Sequence, residues 1–556
     1  MSHKAPQGAS LRSGAVGMGR VFLGLGLVIL FSWGTFSVAQ LVENDITSGT
    51  SVNKMTQVLG RPTDNSISVS VLSPDDLEAY VEYGTAPGKY TGKTGTTTLK
   101  ARVPVELAVE RLKPDTGYFY RLRYRKSGSS DYVADSEYGF HTQRPPGSKF
   151  VFAVQADSHP ERINRMFNAE LYARTMVNVR KDNPDFYITL GDDFSIDQLG
   201  GGKTLSPQVV SQIYIDQRPF LGQSGAATPI FLVNGNHEQA AKYLLNGTSN
   251  SPAVWVGKAR NAYFPQPAIK DGKFYTGDME PVQHVGLLND YYAWTWGDAL
   301  FITLDPYWHS DVVVDNRLGE GPETAAAGMA AAATGGMNAA AAEGMAGMAA
   351  GAANAADPTV PTGLPAGETT YSGMGGRDIW GITHGESQYR WLERTLRESK
   401  AKYKFIFAHH VLGTGRGGVD MADEGEWGGK SLQGVWEFDK KRPGWDLPIH
   451  QLMAKYHVSA FFQGHDHFFV RQEKDGVVYQ ETPNPANPNY EDLAGGWRGA
   501  YKTGDYLPSS GHLRVTVTPE KATVDYVRSW MPKDETAEHK QGEVAFSYSI
   551  KPYTGR

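Results

Sequence analysis

Five short polar clusters hold the side chains of this chain best suited to chemistry. They are Asp157-Ser158-His159, Gly191-Asp192-Asp193, Asn234-Gly235-Asn236-His237-Glu238, His409-His410 and Gly464-His465-Asp466-His467. Together they offer carboxylates, imidazoles and an amide, a mixed nitrogen and oxygen donor set suited to Zn, Mn or Fe. Each has an ordinary reading when taken singly. Asp-Ser-His or Gly-Asp-Asp is usually a loop or a helix cap, Asn-Gly is a tight turn, and an isolated His-x-His only suggests chelation. Here all five close hydrophobic runs, FVFAV, FYITL, IFLV, KFIFA and VSAFF in turn. Such a series points to a two-metal hydrolytic site. Two cations about 3.5–4 Å apart lower the pKa of a shared water and clamp a phosphoryl group. They need a bridging carboxylate, with separate imidazoles and an amide completing each shell, and the clusters contain that inventory.

The elements that must position these groups read as strands and helices in alternation from about residue 149. The clearest helix is 386–403, with Tyr389, Leu392 and Leu396 on one face, and it leads into KFIFA. A second, at 447–456, leads into VSAFF. In such α/β sheets ligands bind at the carboxyl ends of strands, which is where all five clusters fall. Residues 52–145 differ in style. SISVSV at 66–71 alternates with period two, as do 80–83 and 118–124, with Gly, Pro and Asp between them, so this region reads as an all-β sandwich. Arg144-Pro145-Pro146-Gly147 reads as the linker between the two parts.

The chain has 556 residues, too many for one core, so two folded domains and extra segments are expected. The formal net charge of −6, without a long basic stretch, argues against nucleic acid as a partner. There are no cysteines, which excludes disulfides, zinc ribbons and cysteine nucleophiles. Lys4, Arg12 and Arg20 precede an apolar run at 21–39 that ends in Ser37-Val38-Ala39, a small-x-small pattern open to a signal peptidase. Residues 1–39 therefore read as a signal peptide, or as an uncleaved membrane anchor, since a span takes about 20 residues. Either places the body outside the cytoplasm, as a periplasmic, secreted or membrane-anchored protein. Residues 40–51 read as a tether and 531–556 as a C-terminal tail. The Ala/Gly/Met stretch at 325–356 reads as a mobile insertion. The sharper alternative has Met329, Met337, Met345 and Met348 binding a soft metal or an apolar partner.

The set D-x-H, G-D, G-N-H-E, a His after a strand and G-H-x-H, in that order, resembles the calcineurin-like metallophosphoesterases. The resemblance covers about 149–530 and includes NDYYAWTWGDALFITLD (289–305), similar to the strand pair these enzymes carry between the third and fourth motifs. In the first part, VEYGT (81–85), LKPDTGYFYRL (112–122) and FHT (140–142) resemble the fibronectin-III-like domain in front of purple-acid-phosphatase-type enzymes. The fold implied is a four-layer α/β/β/α metallophosphoesterase sandwich preceded by an all-β fibronectin-III-like sandwich. The resemblance implies that Asp157, His159 and His467 bind a first metal, that Asn236, His409 and His465 bind a second, and that Asp192 bridges both. His237 would lie beside them as general acid or transition-state stabiliser. His410 would stand behind the ligands or face substrate. Purple acid phosphatases carry Gly at the position of His159 and Tyr at that of Ser195. With no tyrosinate available, two divalent or mixed-valence ions (Mn, Zn or Fe) in a colourless site are expected.

Other residues have weaker context. Asp193 has two readings, a hydrogen bond to a ligand histidine or simple solvation. Arg416 has a possible phosphate contact. Trp427, Trp436 and Trp445 either cover the metal mouth or pack on the sheet. Asp305, His284, His309, His384, His450, His457 and His512 read as structural or exposed, and Asn246-Gly247-Thr248 fits a glycosylation sequon. The function expected is an exported phosphoesterase acting on a small phosphate monoester or diester by attack of a metal-bridging hydroxide. A cell-surface binding or adhesion protein with a degenerate phosphatase domain is the alternative. Oligomeric state leaves no trace in the sequence.

Overall fold

The computed structural model describes residues 55–163, 165–196, 205–314, 378–413, 416–491, 493 and 501–555. The leader at 1–39, the tether at 40–51 and the insertion at 325–356 lie outside them. Among the described residues no helix is long and apolar enough to cross a membrane.

The first part is a β-sandwich. A three-stranded sheet (Thr56–Gly60, Ser66–Leu72, Val105–Glu110) faces a second sheet built around Leu77–Gly84 and Gly117–Lys126. Ile67, Val69 and Val71, the alternate residues of SISVSV, meet Ala79, Val81, Tyr120 and Leu122 between the sheets. Period-two patterning thus turns the aliphatic face between the sheets, as strand geometry requires, and Ser68 and Ser70 on the other face are buried as well.

The second part has two sheets and two helical layers. The first sheet contains β1 (Phe150–Gln155), β2 (Phe186–Thr189), β3 (Ile230–Leu232), β10 (Gly511–Val517), β11 (Ala522–Arg528) and β12 (Val544–Ile550), in the order β3-β2-β1-β10-β11-β12. The second contains β4 (Tyr292–Trp296), β5 (Ala299–Thr303), β6 (Tyr403–Phe407), β7 (Ala460–Gln463), β8 (Phe469–Lys474) and β9 (Val477–Glu481), in the order β4-β5-β6-β7-β9-β8, with short edge pairings at both ends. Strands β1, β2 and β3 are mutually parallel, as are β5, β6, β7 and β9. The sheets meet through an aromatic layer. Phe152 and Phe186 pack edge-on against Phe301 at 5.1 and 5.0 Å, and Phe231 stacks on Trp294 at 4.2 Å. Helices α1 (Ala169–Asp182), α2 (Pro207–Gly225) and α3 (Pro252–Tyr263) cover the outer face of the first sheet, and α4 (Gly385–Glu398) and α5 (Ile449–Lys455) that of the second. This is the expected α/β/β/α stack.

Residues 531–556 are not the tail expected from the sequence. Strand β12 pairs with β11 along its length, and Phe546, Tyr548 and Ile550 pack on the central core. Burial of these alternate side chains draws the strand onto an edge that would otherwise stay unpaired. The segment Arg144–Gly147 is also pinned. Arg144 donates to both carboxylate oxygens of Asp185, at 2.9 and 3.0 Å, and its carbonyl accepts from the Gly297 amide at 3.0 Å.

Candidate metal centre

The parallel strands deliver the clusters to one place. Asp157 follows β1, Asp192 follows β2, Asn236 follows β3, His409 follows β6 and His465 follows β7, each within a few residues of the strand's carboxyl end. Asp157, His159, Asp192, His465 and His467 turn there through left-handed backbone, with φ of 60, 45, 58, 82 and 67°. Each such residue costs about 1–3 kcal/mol and persists only where the surroundings fix it. Two glycines make room for the turns. A Cβ on Gly235 would stand 2.2 Å from Oδ1 of Asp192, and one on Gly464 would stand 2.5 Å from the Cβ of Ala156.

The side chains divide into overlapping groups whose donor atoms lie within 4.8 Å of one another: Asp157, His159 and His467; His409, His410 and His465; and two containing Asp192, one with His159 and His237 and one with Asp157 and His409. Asp192 is therefore common to both sides. The Nε2 of His409 stands 2.9 Å from Oδ1 of Asn236 and 3.1 Å from Oδ2 of Asp192. All seven residues expected to hold metal are thus brought together and buried.

Their outward atoms are fixed by the protein. Asp157 accepts the His465 amide at Oδ2 (2.8 Å), and Asp192 accepts the His237 amide at Oδ1 (2.9 Å). The remaining oxygens, Oδ1 of Asp157 and Oδ2 of Asp192, are buried without a hydrogen bond and face imidazole nitrogens at 3.1–3.9 Å. Nδ1 of His409 meets the Leu190 carbonyl at 2.8 Å, and Nδ1 of His159 meets Oε1 of Glu161 at 2.9 Å and Oγ of Ser195 at 3.2 Å. These partners aim Nε2 of both rings inward, as a metal-ligating histidine requires. Nε2 of His159 and Nε2 of His467 stand only 3.2 Å apart. Carboxylates and imidazoles converging on one space are a donor set that fits cations.

The electrostatics agree. Burial, followed by the Arg162 charge, holds His159 well below its usual range, and burial with Arg416 does the same to His465. Both are neutral, the form that ligates. Burial opposes ionisation of Asp192, but His409 and His237 outweigh it and keep the carboxyl well below the usual range. Burial likewise opposes charge on His409, yet Asp192 and Asp157 push it up to about 10. A proton and a cation therefore compete for that nitrogen.

The outer residues separate. His410 stacks on His465 at 4.1 Å, with Nδ1 3.0 Å from the Tyr307 hydroxyl. Arg416 donates to Asp466 and to the His465 carbonyl. Asp193 follows neither of its expected readings. It is fully buried, touches no ligand histidine, and accepts from Nε2 of Gln155 at 2.9 Å. The chain turns at Asp192, and the Gln155 amide that reaches Asp193 also reaches the Tyr172 hydroxyl on α1, so this side chain lies toward that helix. Of the three tryptophans, Trp427 is buried and donates to Tyr479 at 2.9 Å, Trp445 stacks on Tyr389 at 3.8 Å, and Trp436 is exposed. Trp427 and Trp445 therefore pack rather than cover the mouth. His309, His384, His450 and His512 pair with Asp290, Glu426, Asp475 and Asp182, while His457 stacks on Tyr553 and His284 is exposed. Asp305 accepts from Asn234 and the Tyr307 amide.

Sequence reasoning missed Glu238, Glu161 and Arg162. Glu238 accepts four backbone amides, from Asp192 (3.0 Å), Asp193 (2.9 Å), Phe194 (3.0 Å) and Gly235 (2.6 Å). Its position inside the G-N-H-E string was the available signal. Glu161 and Arg162 follow directly on Asp157-Ser158-His159-Pro160, close enough to its end to have been weighed with it.

Two facing sheets between helical layers, with polar clusters gathered at the carboxyl ends of the strands, make the α/β/β/α arrangement that the resemblance in sequence implied. No family model matches the chain, and no curated protein matches it in sequence. Among solved structures it is similar to one described as PhoD, at 13% identity over 85% of this chain and 86% of that one, with a TM-score of 0.50. It is also similar to a purple acid phosphatase from yellow lupin (Lupinus luteus) seeds, at 14% identity over 90% and 74% of the two chains and a TM-score of 0.49. A putative 5'-nucleotidase from Staphylococcus aureus matches at 13% identity over 70% and 55%, with a TM-score of 0.32. The likeness to the PhoD structure is one of fold.

Proposed function

We propose that this protein is an exported phosphoesterase dependent on two metal ions, hydrolysing small phosphate monoesters or diesters. One observation carries the reading: two buried carboxylate oxygens, Oδ1 of Asp157 and Oδ2 of Asp192, accept no hydrogen bond and face a ring of imidazole nitrogens. Asp157, His159 and His467 would hold one ion, Asn236, His409 and His465 the other, and Asp192 both. Bound there, two cations supply a nucleophile from water at neutral pH and a counter-charge for phosphoryl oxygens. The chain's own residues do the rest. Glu161 and Ser195 fix the ring of His159, and the Leu190 carbonyl fixes that of His409. His237, with its side chain 11% exposed and Nε2 3.8 Å from Oδ2 of Asp192, stands at the mouth. From there it contacts the leaving group or a phosphoryl oxygen. Export rests on the basic N-terminus and the apolar run at 21–39.

Metal analysis of protein purified without chelator, together with hydrolysis of chromogenic phosphate esters, tests the reading. About two ions per chain and metal-stimulated turnover are expected, and Asp192→Ala loses both. If that variant keeps two ions and the full rate, the bridging role of Asp192 is wrong.

A further inference from the structure

We infer that Arg162 is a specificity-determining residue that reads the second negative charge of a phosphate monoester. The inference rests on the phosphoesterase reading above and narrows its substrate class.

Arg162 lies on the rim loop that leaves the first cluster, and its backbone is held firmly. Its amide donates to the His159 carbonyl at 2.9 Å, and its own carbonyl accepts from the amides of Arg165, Phe167 and Met166 at 3.1, 3.2 and 3.3 Å. The side chain then turns toward the centre, 19% exposed. Nε is 3.2 Å from Oε1 of Glu161, the same oxygen that sits 2.9 Å from Nδ1 of His159. Nη1 meets the Met166 sulfur at 2.9 Å, and Nη2 meets Nε2 of His237 at 3.1 Å.

The kinds of partner matter. Glu161 anchors the guanidinium at Nε, but both terminal nitrogens are directed at groups without negative charge, a thioether and an imidazole. Charged phosphoryl oxygens are much better partners for a guanidinium, whose planar fork favours two parallel bonds to them. A substrate phosphoryl group beside His237 displaces these weak contacts while Nε stays anchored. A monoester dianion presents an unesterified charged oxygen at that edge. A diester has one negative charge fewer, and its second ester oxygen carries carbon in place of charge. Arg162 therefore gains with the first substrate and little with the second.

The test is Arg162→Gln, with metal content measured alongside kcat/KM for an aryl phosphate monoester, above its second pKa, and for an alkyl aryl phosphate diester. A charge-assisted hydrogen bond implies a loss of about 10- to 100-fold on the monoester. The diester should change by less than about 3-fold, metal content should hold, and Arg162→Lys should recover part of the monoester rate because it keeps the charge without the fork. Equal losses on both substrates, no loss on either, or a loss that follows metal content would overturn the inference; the last would mean that Arg162 acts only through Glu161 and His159. If the wild type hydrolyses diesters alone, this inference fails and the phosphoesterase reading stands. If it hydrolyses neither ester with metal bound, both fall.

Discussion

Glu238 contributes no atom to the space between the histidines, yet its carboxylate receives four amides and so ties the loop after β2 to the loop after β3. Asp192 sits in that first loop with φ of 58°, and Glu238 fixes this conformation from behind. Burial and the Asp192 charge push the Glu238 carboxyl up to about 7, against the amides that favour its ionised form. In Glu238→Gln, an NH2 group faces amide donors that need an acceptor. Metal affinity should fall about 10- to 100-fold, the usual cost of losing a residue that orients ligands. Stability should fall by about 2 kcal/mol from the unsatisfied donors. Chelator competition and urea unfolding read the two effects separately, and a variant with unchanged metal affinity would show that Asp192 holds its turn without help.

Elements show a comparable division of labour. The carboxylate of Asp182, at the end of α1, pairs with Nε2 of His512 at 2.8 Å and Nη1 of Arg514 at 2.7 Å, both on β10. The pair fastens the helical layer to the sheet that carries Asp157 and Asp192. Burial works against the charge on Asp182, but His512 and Arg514 outweigh it and lower the carboxyl below its usual 3.8. A depressed carboxyl stabilises the fold above its unfolded pKa and loses that contribution as pH falls through its folded value. Asp182→Asn should therefore cost about 2 kcal/mol at pH 7, and the gap from wild type should close below about pH 3.8 in urea titrations. A gap of the same size at both pH values would place its origin in packing.

The same scale explains what the sequence showed and what it hid. The carboxyl-end clusters were legible because parallel strands collect their loops at one end, which gathers three clusters on the first sheet and two on the facing one. SISVSV was legible from its period, and so was the helix expected at 386–403, although it runs Gly385–Glu398 and Tyr403 already opens β6. Strand β12 was hidden by weak patterning, although Val544, Phe546, Tyr548 and Ile550 do alternate. The direction of Asp193 and the amide grip of Glu238 depend on left-handed turns at single residues, which leave no period to read. Trp427 and Trp445 were ambiguous because composition does not say which side of a loop faces the sheet.

At the scale of the molecule, the sandwich and the α/β/β/α layers are joined through a buried cation. Arg218, on α2 of the second part, is fully buried and donates to Oγ1 of Thr56 (2.9 Å) and to Oγ and the carbonyl of Ser70 (3.1 and 2.9 Å) in the sandwich, and to the carbonyl of Tyr263 on its own side. No carboxylate is paired with it among the described residues, and burial pushes its pKa down to about 9. Tyr120 of the sandwich adds a bond to the Ala226 carbonyl at 2.6 Å, and Tyr275 of the second part reaches back to Pro62. Such an interface resembles a core more than a hinge, so the two parts should melt as one unit. Arg218→Met fills much of the same volume but leaves buried carbonyls on both sides without donors, each costing about 1–3 kcal/mol. Calorimetry should show a single main transition in the wild type. In the variant the sandwich should melt separately and earlier, with metal content unchanged, since Arg218 bonds to Thr56, Ser70 and Tyr263 and to no residue of the metal centre. Two separate transitions already present in the wild type would mean that the parts are merely adjacent, whatever Arg218 touches.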